Sequence, residues 1–268
     1  MVISSRRCTP PALTQAIASL INREVAGADT LTAYRQPLLG FARADDERFE
    51  YLRREVEAAH VLPVDLLPGA RAVLSFFLPF ERWIVEANAA YPETVAREWA
   101  VAYVETNALI GRITAGLIAM LAERGIRAAA EPATHNFDPE SLVSRWSHKS
   151  VAVIAGLGAF GLHHMVITDA GCAGRFGSVV IDAALPELEP SPLESKVRCL
   201  YFHDGSCRVC VARCPVGALD SALDGDSHID KRRCYRRLLA VAEEYRSLGL
   251  VDVCGKCAVG PCAFGPAV

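Results

Sequence analysis

Leu109, Ile113, Leu117 and Leu121 recur every four positions within the segment 93–124, which lines them along one face of a helix, and Gly125 is placed to end it. Helical spacing also marks residues 10–26 and 45–59. The turn signal Leu66-Leu67-Pro68-Gly69-Ala70 feeds an apolar run, 72–78, that predicts a strand. Short β-branched runs predict further strands at 151–155 and 178–181, and 165–168 favours extended backbone. Prolines around 187–192 predict a linker and a boundary near residue 195. The expected fold class is α+β, with an α/β domain over 1–195 and a smaller domain over 196–268. No internal repeat of about 20 to 50 residues interrupts this scheme.

At 268 residues, 51% hydrophobic and 22% charged, the chain has enough apolar surface to build a real core, which excludes wholesale disorder. Arg112 interrupts the longest apolar candidate, 108–122, so no membrane span is expected. The first residues lack the apolar core of a secretion signal, and the expected location is cytoplasmic. A net charge of −3 supplies no general attraction to phosphate backbones.

The cysteines change the picture. Cys8 and Cys172 stand alone and read as structural, while eight crowd the stretch 199–262. The first set is Cys199-x7-Cys207-x2-Cys210-x3-Cys214-Pro215; the second is Cys234, nineteen residues, then Cys254-x2-Cys257-x4-Cys262. In a reducing compartment such spacing points to metal rather than to disulfides. Eight thiolates match two [4Fe-4S] clusters, because each cubane needs four. In the two-cluster ferredoxin pattern the Cys before Pro serves the other cluster. By that analogy Cys199, Cys207, Cys210 and Cys262 form one set, and Cys234, Cys254, Cys257 and Cys214 the other. A zinc site from Cys207, Cys210, Cys254 and Cys257 is the competing arrangement, and it leaves the remaining four thiols without a role.

Other signals are weaker. The run Lys231-Arg232-Arg233 beside Cys234, continued by Arg236 and Arg237, reads as a solvated face that offsets the anionic clusters or as a docking patch for an acidic electron donor. Gly156-Leu157-Gly158-Ala159-Phe160-Gly161 after a predicted strand has the form of a dinucleotide loop, with Asp182 placed for a ribose, but the helix such a loop must open is missing from the pattern. Polar residues gather before and after it, from Thr134 to Asp138, from Ser144 to Lys149, and at His163, His164 and Arg175. Among them Asp138 and His148 are candidate proton donors for a reduction.

Leu66 to Val73, Ala155-Gly156-Leu157-Gly158 with Gly161, and Asp204-Gly205-Ser206-Cys207 with the cysteine sets together resemble the epoxyqueuosine reductase family, which is itself similar to reductive dehalogenases. The resemblance implies a nitroreductase-like, cobalamin-binding-type α/β domain followed by a two-cluster ferredoxin-like domain. It implies electrons passing inward to a substrate or corrinoid near Gly156, Leu157, Gly158 and Gly161, with cobalamin a candidate cofactor and a ferredoxin or flavodoxin as external donor. An electron-transfer protein or reductive activator without its own substrate is the alternative. Three features depart from the family. Leu162 and His163 stand where it has Lys-Asn; the place of its catalytic acid falls near Leu142, with Asp138 and Glu140 only neighbours; and the sequence reaches Val268 without the helical-repeat tail used around tRNA. The expectation is a relative with another substrate, and tRNA is not an expected partner.

Overall fold

The computed structural model describes residues 10–56, 58–185, 197–219 and 228–268. In chain order it runs α1 (Pro10–Ala26), β1 (Leu38–Arg43), α2 (Glu47–Tyr51), α3 (Pro63–Leu66), β2 (Ala72–Pro79), α4 (Arg82–Ala90) and α5 (Arg97–Ala122). Then follow β3 (Ala128–Ala129), β4 (Phe137–Asp138), β5 (Val143–Ser144), α6 (His148–Ile154), β6 (Gly158–Phe160), β7 (Val166–Thr168) and β8 (Gly174–Ile181). The last elements are α7 (Leu200–Asp204), α8 (Val209–Ala212) and α9 (Lys231–Glu244).

Strands β1, β2, β8 and β3 form one antiparallel sheet in that order, with Leu74 opposite Val179 and Ala72 opposite Ile181. Every residue of β2 is buried, because the sheet is covered on both faces. Leu74, Phe76, Leu78, Val179 and Ile181 point to one side, where they meet Ile17 and Ile21 of α1 and Leu109, Ile113, Leu117 and Leu121 of α5. Val73 and Val180 point to the other and meet Trp146, Val151 and Ile154. Alternation along the strand thus serves two helical layers at once. α5 is long and apolar enough to cross a membrane by composition, yet its four-residue stripe is fully buried in this core.

The helix expected over 10–26 and the strands expected over 72–78 and 178–181 are present, and Gly125 follows α5 with φ +72°. Residues 151–155 do not form a strand. Ser147 accepts from the Ser150 backbone N–H and starts α6, whose Val151, Ala152 and Ile154 reach the sheet at helical spacing. Packing here outweighs the β preference of valine and isoleucine. The helix expected over 45–59 is α2 continued by a π-helical turn, Leu52–Val56. Cys8, the linker at 187–192 and the boundary near 195 lie outside the described residues.

Val241, Val251, Ala258, Val259 and Ala263 share one buried cluster with Phe80, Ile84, Trp99, Cys172 and Ala173. The cysteine-bearing segments are therefore packed directly on α4 and α5, which fixes where their thiols point.

Candidate functional site

Burial pushes the Cys210 thiol up to about 12, and the thiols charged against it are Cys262, Cys199 and Cys207. Burial also lifts Cys234 to about 11, and its thiol neighbours are Cys254 and Cys214. Cys257 is raised by burial first and then by Cys254, Cys234, Cys210 and Cys214. Thiols raised by burial and by one another's charge are a costly arrangement for a metal-free protein and a ready one for cations.

Local backbone aims these sulfurs. Gly255 has φ +70° and lies so close to Trp99 that a Cβ would stand 2.2 Å from its ring, so only glycine lets the Cys254-Gly255-Lys256-Cys257 turn press onto α5. Lys256 is buried and donates to Asn88 O, Asn88 Oδ1 and Tyr91 O. Burial lowers its ammonium to about 8. Farther along, Cys172 N–H donates to Cys262 O, and a Cβ on Gly171 would meet Ala263 O at 2.2 Å. These contacts bring Cys172 Sγ to 3.9 Å from Cys262 Sγ, while His163 Nε2 lies 3.2 Å from the same sulfur. His163, Cys172 and Cys262 are the described residues grouped closely enough to share a single ion. The Cys262 thiol is lowered to about 5 by its sulfur neighbour and by His163.

A cavity of about 380 Å³ is lined by Cys214, Cys234, Cys254 and Cys257 together with Tyr103, Lys149 and Arg175. The Arg175 guanidinium stacks 4.2 Å from the Tyr103 ring centroid, and its Nε is buried with no hydrogen-bond partner. Tyr103 Oη donates to Asp252, which leaves Thr134 Oγ1, 3.0 Å away, to donate to Tyr103. Asp252 also lies 3.5 Å from Nε2 of the partly exposed His135. Burial raises the Tyr103 hydroxyl above its usual range, with Arg175 acting against it. Lys149 Nζ donates to His164 O; burial lowers its ammonium, and the Cys257 and Cys234 thiolates oppose that shift.

The residues expected from sequence fall in different places. Asp138 is exposed on the β4–β5 hairpin, where it accepts from the Glu140 and Ser141 backbone N–H groups, and that holds its carboxyl below the usual range. His148 lines a second, smaller cavity beside Lys149 and Arg175. Its Nδ1 accepts from Ser178 Oγ, which in turn accepts from Trp146 Nε1, and its Nε2 donates to Pro132 O. Burial lowers it to about 4, so it is neutral at ordinary pH. Gly156 takes φ +76° at the end of α6, Leu157 is buried against Phe77 and Ala152, and Gly158 opens the β6–β7 hairpin. Gly161 leaves room for the His163 ring, which a Cβ would approach to 2.9 Å. The loop therefore opens a hairpin, not the helix that a pyrophosphate would sit on.

In the basic run, Arg232 donates to Glu140 O, Arg233 to Gly217 O and Arg237 to Glu93 O. These charges staple α9 to the rest of the chain. Tyr103 and Asp252 were not legible as site residues: Tyr103 sits in the apolar pattern of α5, and its only signal is a hydroxyl where the buried face of that helix calls for carbon.

No protein-family model matches the sequence, and no curated protein matches it. Solved structures do. Epoxyqueuosine reductase from Bacillus subtilis is 21% identical with a TM-score of 0.55 over 93% of this chain and 66% of that one. The enzyme from Streptococcus thermophilus is 17% identical with a TM-score of 0.55, covering 95% of this chain and 68% of that one. A catabolic reductive dehalogenase in complex with 3-bromo-4-hydroxybenzoic acid is 15% identical with a TM-score of 0.53, over 96% of this chain and 37% of that one. The chain thus spans about two thirds of the length of the epoxyqueuosine reductases whose fold it shares.

Proposed function

We propose that this chain, folded as epoxyqueuosine reductases are, is an iron–sulfur reductase that delivers electrons to a small organic substrate in the cavity between Cys257 and Arg175. What supports this reading is the spacing of eight cysteines between 199 and 262, four of which, Cys214, Cys234, Cys254 and Cys257, line that cavity. Cys199, Cys207, Cys210 and Cys262 would hold one [4Fe-4S] cluster, and Cys214, Cys234, Cys254 and Cys257 the other. The donor set fits, since thiolate is the ligand such clusters take. The clusters supply one-electron reducing equivalents, refilled by a ferredoxin or flavodoxin in the reducing cytosol.

The chain's own residues supply the rest. Lys149 places a partly buried positive charge beside Cys257 and Cys234, which favours an added electron there. Arg175 faces the cavity, and among the described residues no carboxylate lies within ion-pair distance of it. It would orient a polar or anionic substrate group. Tyr103 holds a proton at Oη, and Asp252 with His135 connects that hydroxyl toward the surface. Two electrons and two protons then reduce one substrate bond. A cluster held by Cys214, Cys234, Cys254 and Cys257 would take up part of this cavity, and the substrate would take the rest. Cobalamin is the other group that the resemblance implies, and no step is routed through it.

Anaerobic reconstitution tests the reading. The expected product is brown, loses absorbance on dithionite reduction, and once reduced is reoxidised by at least one small oxidised organic compound faster in wild type than in Tyr103→Phe. A preparation that takes up no iron and sulfide overturns it. Reoxidation only by a partner protein, never by a small molecule, favours the electron-transfer alternative.

A further inference from the structure

The group formed by His163, Cys172 and Cys262 is not explained by holding a cluster, which needs only the Cys262 sulfur. His163 is 4% exposed, and its ring is oriented by the backbone: the Met165 N–H donates to Nδ1 at 3.0 Å. That nitrogen is therefore the unprotonated one, and the proton sits on Nε2, which points at Cys262 Sγ from 3.2 Å. Cys172 approaches the same sulfur from elsewhere, its own Sγ at 3.9 Å and fully buried. Both neighbours are held in place. Gly161 clears the space beside the imidazole, and Gly171 lets the Cys172 backbone pair with that of Cys262.

A separate ion bound by these three groups is the obvious rival, and the same hydrogen bond argues against it. Ligation through Nε2 requires the proton on Nδ1, where the Met165 N–H already points. The ion would also have to share Cys262 with its cluster.

We propose that His163 is a tuning residue: its Nε2–H bonds to the Cys262 thiolate and raises the reduction potential of the cluster held by Cys199, Cys207, Cys210 and Cys262, while the Cys172 S–H has the Ala258 carbonyl, at 3.6 Å, as its acceptor. This rests on the cluster reading above. Adding an electron places more negative charge on the ligand sulfurs, and a hydrogen bond to sulfur is stronger in that state. The bond therefore favours the reduced cluster. It acts on one cluster alone, since the partners of the other sulfurs lie elsewhere; Cys214 Sγ, for example, accepts from the Ala218 backbone N–H.

The test is a redox titration of the reconstituted protein followed by electron paramagnetic resonance. In His163→Phe, which keeps the ring volume and removes the donor, one of the two midpoints is expected to fall by about 59 mV, a tenfold weaker reduction equilibrium. The other should stay put, and His163→Gln, whose amide N–H reaches a similar place, should recover most of the shift. Unchanged midpoints in an iron-replete Phe variant overturn the inference while leaving the cluster reading intact. If the Phe variant fails to hold iron, His163→Leu decides: a fall in one midpoint alone supports the proposal, and unchanged midpoints overturn it. Stoichiometric zinc that disappears with His163 would overturn it in favour of the rival ion. Wild-type protein without iron would sink both readings.

Discussion

Lys256 Nζ donates to Asn88 O at 2.6 Å and to Asn88 Oδ1 at 2.9 Å, which locks the turn between Cys254 and Cys257 onto α4. The same Asn88 side chain donates to Cys254 O at 3.0 Å and accepts from the Ala96 N–H at 3.1 Å. One asparagine therefore positions a buried cation, the carbonyl of a thiol-bearing residue and the turn before α5.

Asn88→Ala removes these side-chain partners and leaves part of a buried ammonium unsatisfied, at a cost of roughly 3 kcal/mol. For a chain of this size that corresponds to a fall in melting temperature of roughly 10 °C. About half the iron should be lost with it, because the Cys254 to Cys257 turn loses its anchor. A melting curve and iron content matching wild type would show that the lock has no such role.

His148 sets a pH dependence of stability. Its folded value of about 4 lies below the ordinary 6.5, through burial first and Arg175 second, against the bond to Pro132 O. Above pH 6.5 both folded and unfolded forms are neutral, and the stabilisation is complete. As pH falls from 6.5 toward 4 the unfolded chain takes up a proton that the folded one refuses, and roughly 3 kcal/mol is lost. Urea midpoints measured across this window should fall more steeply in wild type than in His148→Gln. His164, also lowered to about 4, contributes with the same sign and remains in the variant. Parallel slopes would mean that His148 protonates freely in the folded protein.

Lys149 acts on the cluster wall that His163 does not reach. Its ammonium feels Cys257 and Cys234, so Lys149→Met deletes a positive charge beside that set alone. The midpoint left unmoved by His163→Phe should now fall, by a factor of about ten in the reduction equilibrium. A fall in both midpoints, or in neither, would contradict the assignment of Lys149 to one cluster.

The parts of this fold that the sequence announces are those governed by local periodicity. The stripe from Leu109 to Leu121 and the run into β2 announce themselves because each buries a regular face. The segment 151–155 misleads because a short apolar run has no period of its own, and a serine cap together with the sheet beneath it decides for helix. Cysteine spacing is legible because cluster ligation imposes it along the chain. Tyr103, Asn88 and Asp252 are not, since what joins them to the thiols is proximity across 149 to 166 positions, as in Tyr103 with Asp252 and Asn88 with Cys254. Cys172 shows the same limit: no ligand spacing surrounds it, yet its sulfur stands beside Cys262.

The exchange of fourth ligands between the two cysteine sets can be tested by pairs of substitutions. If Cys214 serves the set of Cys234, Cys254 and Cys257, then Cys214→Ala and Cys257→Ala damage the same cluster. The double variant should retain about half the iron and one reduced-state signal, as each single variant does. Cys214→Ala combined with Cys210→Ala damages one cluster each and should leave almost none. Without the exchange, Cys214 would belong with Cys210, and the two double variants would trade outcomes. Cys262 gives the reciprocal check, since its pairing with Cys210→Ala should spare the second cluster and its pairing with Cys257→Ala should not. Metal ligation contributes folding energy, so the variants losing both clusters should also lose protection against protease in the region after residue 197. Iron content that follows the unexchanged pattern would reassign Cys214 and Cys262, and would move the hydrogen bond of His163 to the cavity-facing cluster.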